Sequence, residues 1–156
     1  MKRIIICLFV LMAVETMADF KMPKKVYRLD ELEKAQAEAT SEKKAISFII
    51  TQEKTSCGIC AARSLEAAKT LGRKTIVVYI NSATELEKTP KLVFESLISP
   101  EAGKYIPKVV ILNVDLTEVY AIVAIPEGSD NKEYVKVLKE ALKELPDPKD
   151  TKNVSK

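Results

Sequence analysis

The sequence predicts an α/β domain: a central mixed sheet flanked by helices, with an antiparallel hairpin near its carboxyl end. Three observations carry this. First, Ala45–Ile50, Lys74–Ile80 and Lys108–Asn113 are nearly continuous apolar and β-branched runs, as expected of strands buried on both faces. Second, segments with helical spacing lie between them, which makes β-α-β units with parallel strands. Third, only a short polar turn, Asp115–Glu118, separates the last of these runs from Val119–Ala124 (V-Y-A-I-V-A), so these two pair as a hairpin.

Taken in order, Asp19–Lys25 is a polar lead-in that contains Pro23, and Val26-Tyr27-Arg28 reads as a short edge strand. A helix follows, with Asp30 as N-cap, Glu33 completing a capping box, and Leu32, Ala35 and Ala39 on one face. Thr51–Ser56 is a polar loop before a helix over Cys57–Leu71, with Gly72 as its C′ residue. Thr89-Pro90 reads as an N-cap followed by proline at the first helical position, opening an inserted helix with the apolar stripe Leu92, Val93, Phe94, Leu97 and Ile98. Glu101–Tyr105 connects this helix to Ile106-Pro107 and the third long strand. Ser129 or Asp130 caps a final helix reaching Leu145, with Tyr134, Val135, Leu138, Ala141, Leu142 and Leu145 at spacings of three and four.

The chain has 156 residues and a formal charge of +3 with both signs interspersed, so no nucleic-acid-binding face is implied. Residues 1–18 have the pattern of a secretory signal peptide. Lys2 and Arg3 precede an apolar run, Ile4–Val14, and Thr16-Met17-Ala18 places small residues before a cleavage point. That run is too short to span a bilayer. The domain organisation expected is therefore a leader over 1–18, a lead-in over 19–25, one domain over 26–145, and a polar, Pro- and Lys-rich tail over 146–156 with the composition of disorder. A leader kept uncleaved as a membrane anchor is the alternative; cleavage near Ala18 predicts a periplasmic or secreted protein with no further membrane attachment. It takes two basic residues and one acidic one, leaving a net charge of +2, and it removes Cys7.

Two cysteines then remain, in Thr55-Ser56-Cys57-Gly58-Ile59-Cys60. Thiols at i and i+3 on the first turn of a helix share a face and can close a small disulfide ring. The helix N-terminus stabilises the first as a thiolate. The chain contains no histidine, which excludes His-assisted triads and zinc sites of mixed cysteine and histidine ligation. No second cysteine pair is present to complete an all-cysteine zinc site. Three uses of the pair remain open: a redox-active dithiol, a redox-silent staple, and a two-thiolate Cu(I) site. A staple is the weaker account energetically, because so small a loop gains little chain-entropy stabilisation. No cofactor or resident metal is expected on the redox reading.

A strand, Cys-x-x-Cys opening a helix, a further strand, an inserted helix, then Ile106-Pro107 before a hairpin and a closing helix: this order resembles the thioredoxin-like superfamily from about Val26 to Leu145, in particular its exported thiol-disulfide oxidoreductases. The proline lies about fifty residues beyond the first cysteine. The resemblance implies a Cys57–Cys60 disulfide, with Cys57 as nucleophile and Cys60 as resolving thiol. It also implies a cis peptide bond at Ile106-Pro107, and a substrate-binding surface made by Ile106, Gly58 and Ile59. Implied partners are exported proteins bearing disulfides or thiols, together with a redox protein that recycles the dithiol. A redox-silent binding module using the same groove is the alternative within the fold.

The sequence departs from thioredoxins proper in four places, one of them a segment from about Asn81 to Ile106 longer than a minimal thioredoxin has. Ser56 stands where they have Trp, and Gly58-Ile59 replaces Gly-Pro. The strand residues Ser47-Phe48-Ile49-Ile50 include no buried Asp, so Glu53 is the nearest acid for a proton relay. The uncharged dipeptide leaves Cys57 tuned mainly by the helix terminus, with Lys54 and Lys108 as candidate cations. This favours a reductant or isomerase over a strong oxidant.

Overall fold

The computed structural model describes residues 21–53, 55 and 57–146. The expected leader, Lys54, Ser56 and the tail beyond Pro146 lie outside these described residues. Along the chain run β1 (Val26–Arg28), α1 (Leu32–Glu42), β2 (Ala45–Thr51), α2 (Gly58–Leu71), β3 (Thr75–Asn81), α3 (Lys91–Ile98), β4 (Lys108–Leu112), β5 (Val119–Val123) and α4 (Asn131–Ala141). The strands form one five-stranded sheet in the order β1-β3-β2-β4-β5. β1 and β2 run parallel to β3, while β4 is antiparallel to both β2 and β5.

Side chains alternate across a strand, so a continuous apolar run furnishes two cores at once. On one face Ile46, Phe48, Ile50, Ile76, Val78, Ile80, Val110 and Leu112 pack against Ala35 and Ala39 of α1 and Val93 and Leu97 of α3. On the other, Ile49, Val77, Val109, Ile111 and Val123 pack against Ala67, Ala68 and Leu71 of α2, Tyr134 and Leu138 of α4, and Leu142 just past the end of α4. The α2 face matters for function, because α2 carries the cysteines.

Helix ends differ from expectation by a few residues, each for a local reason. Leu29–Glu31 forms a 3₁₀ turn ahead of α1. The acid that reaches back is Glu31, accepting from the Arg28 amide at 3.4 Å, rather than Glu33. Pro90 is itself the N-cap of α3, with extended backbone (ψ 140°), and Thr89 instead donates its hydroxyl to the Glu85 carbonyl at 3.2 Å. Gly72 ends α2 in right-handed geometry, so left-handed freedom is not its use; a Cβ there would sit 3.0 Å from the Ala68 oxygen. It is Lys43, closing α1, that takes the left-handed conformation, donating to the Ala39 and Thr40 carbonyls. Asp130 caps α4, accepting from the Glu133 amide at 2.8 Å, but the helix stops at Ala141, short of Leu145.

Candidate active site

The site is built from the carboxyl end of β2 upward. Thr51 closes that strand, and the chain crosses a loop before α2 begins at Gly58. Within the loop Thr55 Oγ1 accepts the Cys57 amide at 3.0 Å, a side-chain turn of the kind threonine favours. Cys57 is the N-cap of α2, with extended backbone (φ −83°, ψ 92°). Its Sγ takes the place of a capping oxygen and accepts the Cys60 amide at 3.2 Å. The sulfur therefore faces the positive end of the helix, where a thiolate is stabilised.

Cys57 and Cys60 are joined by a disulfide, with Cα atoms 5.3 Å apart. Neither residue is buried, and the intervening Gly58 and Ile59 are exposed, Ile59 by 65%. A Cβ on Gly58 would meet nothing within 4 Å, so no close contact requires glycine there. Behind the pair, the buried Ser64 donates its hydroxyl to the Cys60 carbonyl at 2.8 Å. One turn on, Arg63 donates to the Ser129 carbonyl and to Asn131 Oδ1, tying α2 to the start of α4.

The Ile106–Pro107 peptide bond is cis. Register pairs Ile50 with Lys108, so Pro107 lies at the end of the sheet from which the loop to Cys57 departs. Pro107 is buried, Ile106 half-buried, and Tyr105 is 48% exposed. Gly103 sets the approach to this loop at φ +66°, a conformation in which a side chain is strained; its Cβ would press on that of Ala124 at 3.1 Å.

The charged candidates are placed in different ways. Lys108 shares its sheet face with Val110 and Leu112, opposite α2, and donates to the Leu97 carbonyl at 2.9 Å. There it caps the open carbonyl end of α3. Glu53 lies in the loop ahead of Cys57, where Oε1 accepts from Arg28 Nη2 at 2.7 Å and Oε2 from Asn81 Nδ2 at 3.3 Å. This hydrogen bond from Arg28 to Glu53 holds the guanidinium more firmly protonated than usual. The same guanidinium stands over the Tyr79 ring, 5.9 Å from its centroid. Burial, reinforced by the Glu53 charge, pushes the Tyr79 hydroxyl up to about 12. The sequence reading missed Arg28, Asn81 and Thr55 as members of this region. Only Thr55 had a local signal, a threonine two residues before the first cysteine.

Neither the protein-family models nor the curated proteins include a match to this chain. Among solved structures it is similar to the crystal structure of a disulphide isomerase from Xylella fastidiosa Temecula1. The TM-score is 0.51 and the identity 16%, over 71% of this chain and 88% of that one. It is also similar to a DsbH oxidoreductase, with a TM-score of 0.44 and 18% identity over 71% and 81% of the two chains. The first likeness shows the fold: the chain has the thioredoxin-like fold, with a close cysteine pair at the start of α2.

Proposed function

We propose that the protein is an exported thiol-disulfide oxidoreductase that reduces or exchanges disulfides in extracytoplasmic proteins through Cys57 and Cys60. The observation that carries this is the partly exposed Cys57–Cys60 disulfide at the N-cap of α2, with the Cys60 amide aimed at the Cys57 sulfur. The position of Ile106-Pro107 at the same end of the sheet and the pattern of residues 1–18 support it.

In the reducing direction the Cys57 thiolate attacks one sulfur of a substrate disulfide. A mixed disulfide forms with Cys57 and the other substrate sulfur leaves as a thiolate. Cys60, deprotonated, then attacks the Cys57 sulfur, releasing the second substrate thiol and closing the Cys57–Cys60 bond. Two electrons pass from the dithiol to the substrate, and a partner dithiol returns them to the protein. Gly58, Ile59 and Ile106 provide the surface on which the substrate chain lies, and Pro107 supplies an imide with no N–H to oppose the sulfurs. Reduced protein should reduce insulin, and Cys57→Ser should not. Cys60→Ser should accumulate a mixed disulfide that dithiothreitol releases. Insulin reduction unchanged by Cys57→Ser would overturn the reading.

A further inference from the structure

The loop before the dithiol is pinned from two strands. Arg28, the last residue of β1, pairs with Glu53 Oε1 at 2.7 Å, and Asn81, the last residue of β3, donates to Glu53 Oε2 at 3.3 Å. Asn81 is held in turn: its amide donates to Glu85 Oε2 at 2.7 Å, and its Oδ1 accepts the Ala83 amide at 3.1 Å. The Ser82 amide adds a bond to the Thr51 carbonyl at 2.9 Å, where the loop begins. From Glu53 the chain runs to Thr55, whose hydroxyl receives the Cys57 amide. The chain is thus held at two points ahead of the nucleophile, at Glu53 on the sheet edge and at Thr55 beside the Cys57 amide.

We propose that Glu53 is a positioning residue, clamping the loop to Arg28 and Asn81 so that Cys57 keeps its N-cap geometry. Its carboxylate is engaged in this clamp and does not serve as the proton relay. The proposal rests on the reading of Cys57 and Cys60 as a redox dithiol, and deepens it by assigning how the first thiol is held. Arg28 and Glu53 are 52% and 35% exposed at their side chains, so the pair contributes little to overall stability. Its consequence is local: a loop freed of the clamp lets the Cys57 sulfur drift from the helix amides.

Charge sign gives the test. Acting through its charge, Glu53 would raise the Cys57 thiol pKa and Arg28 would lower it, so Glu53→Gln and Arg28→Gln would move reactivity in opposite directions. Acting as a clamp, both variants loosen the same loop. Alkylation of Cys57 by iodoacetamide at pH 7 is measured in the full chain, reduced, beside thermal melting. The clamp predicts a loss of about threefold in both variants, since half a pKa unit changes the thiolate fraction by that factor. Melting should be nearly unmoved, and Lys91→Gln, which breaks an exposed pair on α3, should have no effect. Thr55→Ala should lose reactivity likewise, and Thr55→Ser should restore it. Opposite shifts in Glu53→Gln and Arg28→Gln, or no shift in either, would overturn the proposal. An unreactive dithiol in the unsubstituted chain would instead overturn the oxidoreductase reading beneath it.

Discussion

Ser47 and Thr51 stand four residues apart on β2, on the same sheet face, and their hydroxyls are treated in opposite ways. At the amino end of the strand Ser47 Oγ donates to Thr75 Oγ1 at 2.8 Å, and Thr75 passes the bond to the Leu71 carbonyl at 3.0 Å. At the carboxyl end Thr51 Oγ1 is buried with no hydrogen-bond partner among the described residues. Among the described residues the buried hydroxyls of Tyr79, Ser129 and Tyr134 also have no partner, and all lie toward that same end, where α2 and α4 begin. An unpaired buried hydroxyl costs about 1–3 kcal/mol. Exposed apolar side chains gather there too, with Ile59 and Ile98 each at 65%. One end of the sheet is finished for stability, and the end that holds the cysteines is not.

Substitutions can break or sharpen this contrast. The largest effect is expected from paired alanines on α2. Leu71→Ala, at the fully buried end, should cost about 2–5 kcal/mol in denaturant unfolding, while Ile59→Ala, beside the cysteines, should cost under about 0.5 kcal/mol. Equal costs would erase the difference between the ends. Next comes the hydroxyl pair. Ser47→Ala removes a satisfied buried hydrogen bond and should cost about 1 kcal/mol, whereas Thr51→Val should be neutral or stabilising by the same measurement.

The smallest effect is a pH dependence. Tyr79 is raised to about 12 when folded, above the ordinary tyrosine value near 10. Between these values the folded state binds the proton more tightly than the unfolded one, so stability falls as pH rises through that window. Its contribution is complete below about pH 10 and lost by about pH 12. Tyr79→Phe should leave stability at pH 7 unchanged or slightly higher and flatten part of the alkaline decline. Tyr134, also raised by burial, should keep the rest. An alkaline unfolding curve identical in Tyr79→Phe would contradict the assignment.

Much of the fold is legible in the sequence. Runs such as Ala45–Ile50 and Lys108–Asn113 have no polar alternation, and only a sheet covered on both faces accommodates them. The Cys57-x-x-Cys60 spacing and Ile106-Pro107 likewise stand in plain view. What escaped was non-local. Arg28 and Asn81 meet Glu53 across 25 and 28 residues, through a parallel register between β1 and β3 that no short-range pattern encodes. Helix ends escaped for a different reason. Asp30, Thr89 and Gly72 each have the composition of a cap, but a 3₁₀ turn precedes α1, Thr89 turns its hydroxyl back to the Glu85 carbonyl, and Gly72 ends α2 in right-handed geometry. Lys108 is close to the dithiol in strand position, but strand alternation turns it to the opposite face, toward the Leu97 carbonyl.

The central claim is that Cys57 and Cys60 are a working redox couple, and equilibrium with glutathione buffers tests it most directly. The oxidoreductase reading predicts a reduction potential between about −120 and −270 mV, the span of dithiols that exchange in service. A value well below about −300 mV, where structural disulfides lie, would mark the bond as an inert staple and contradict it.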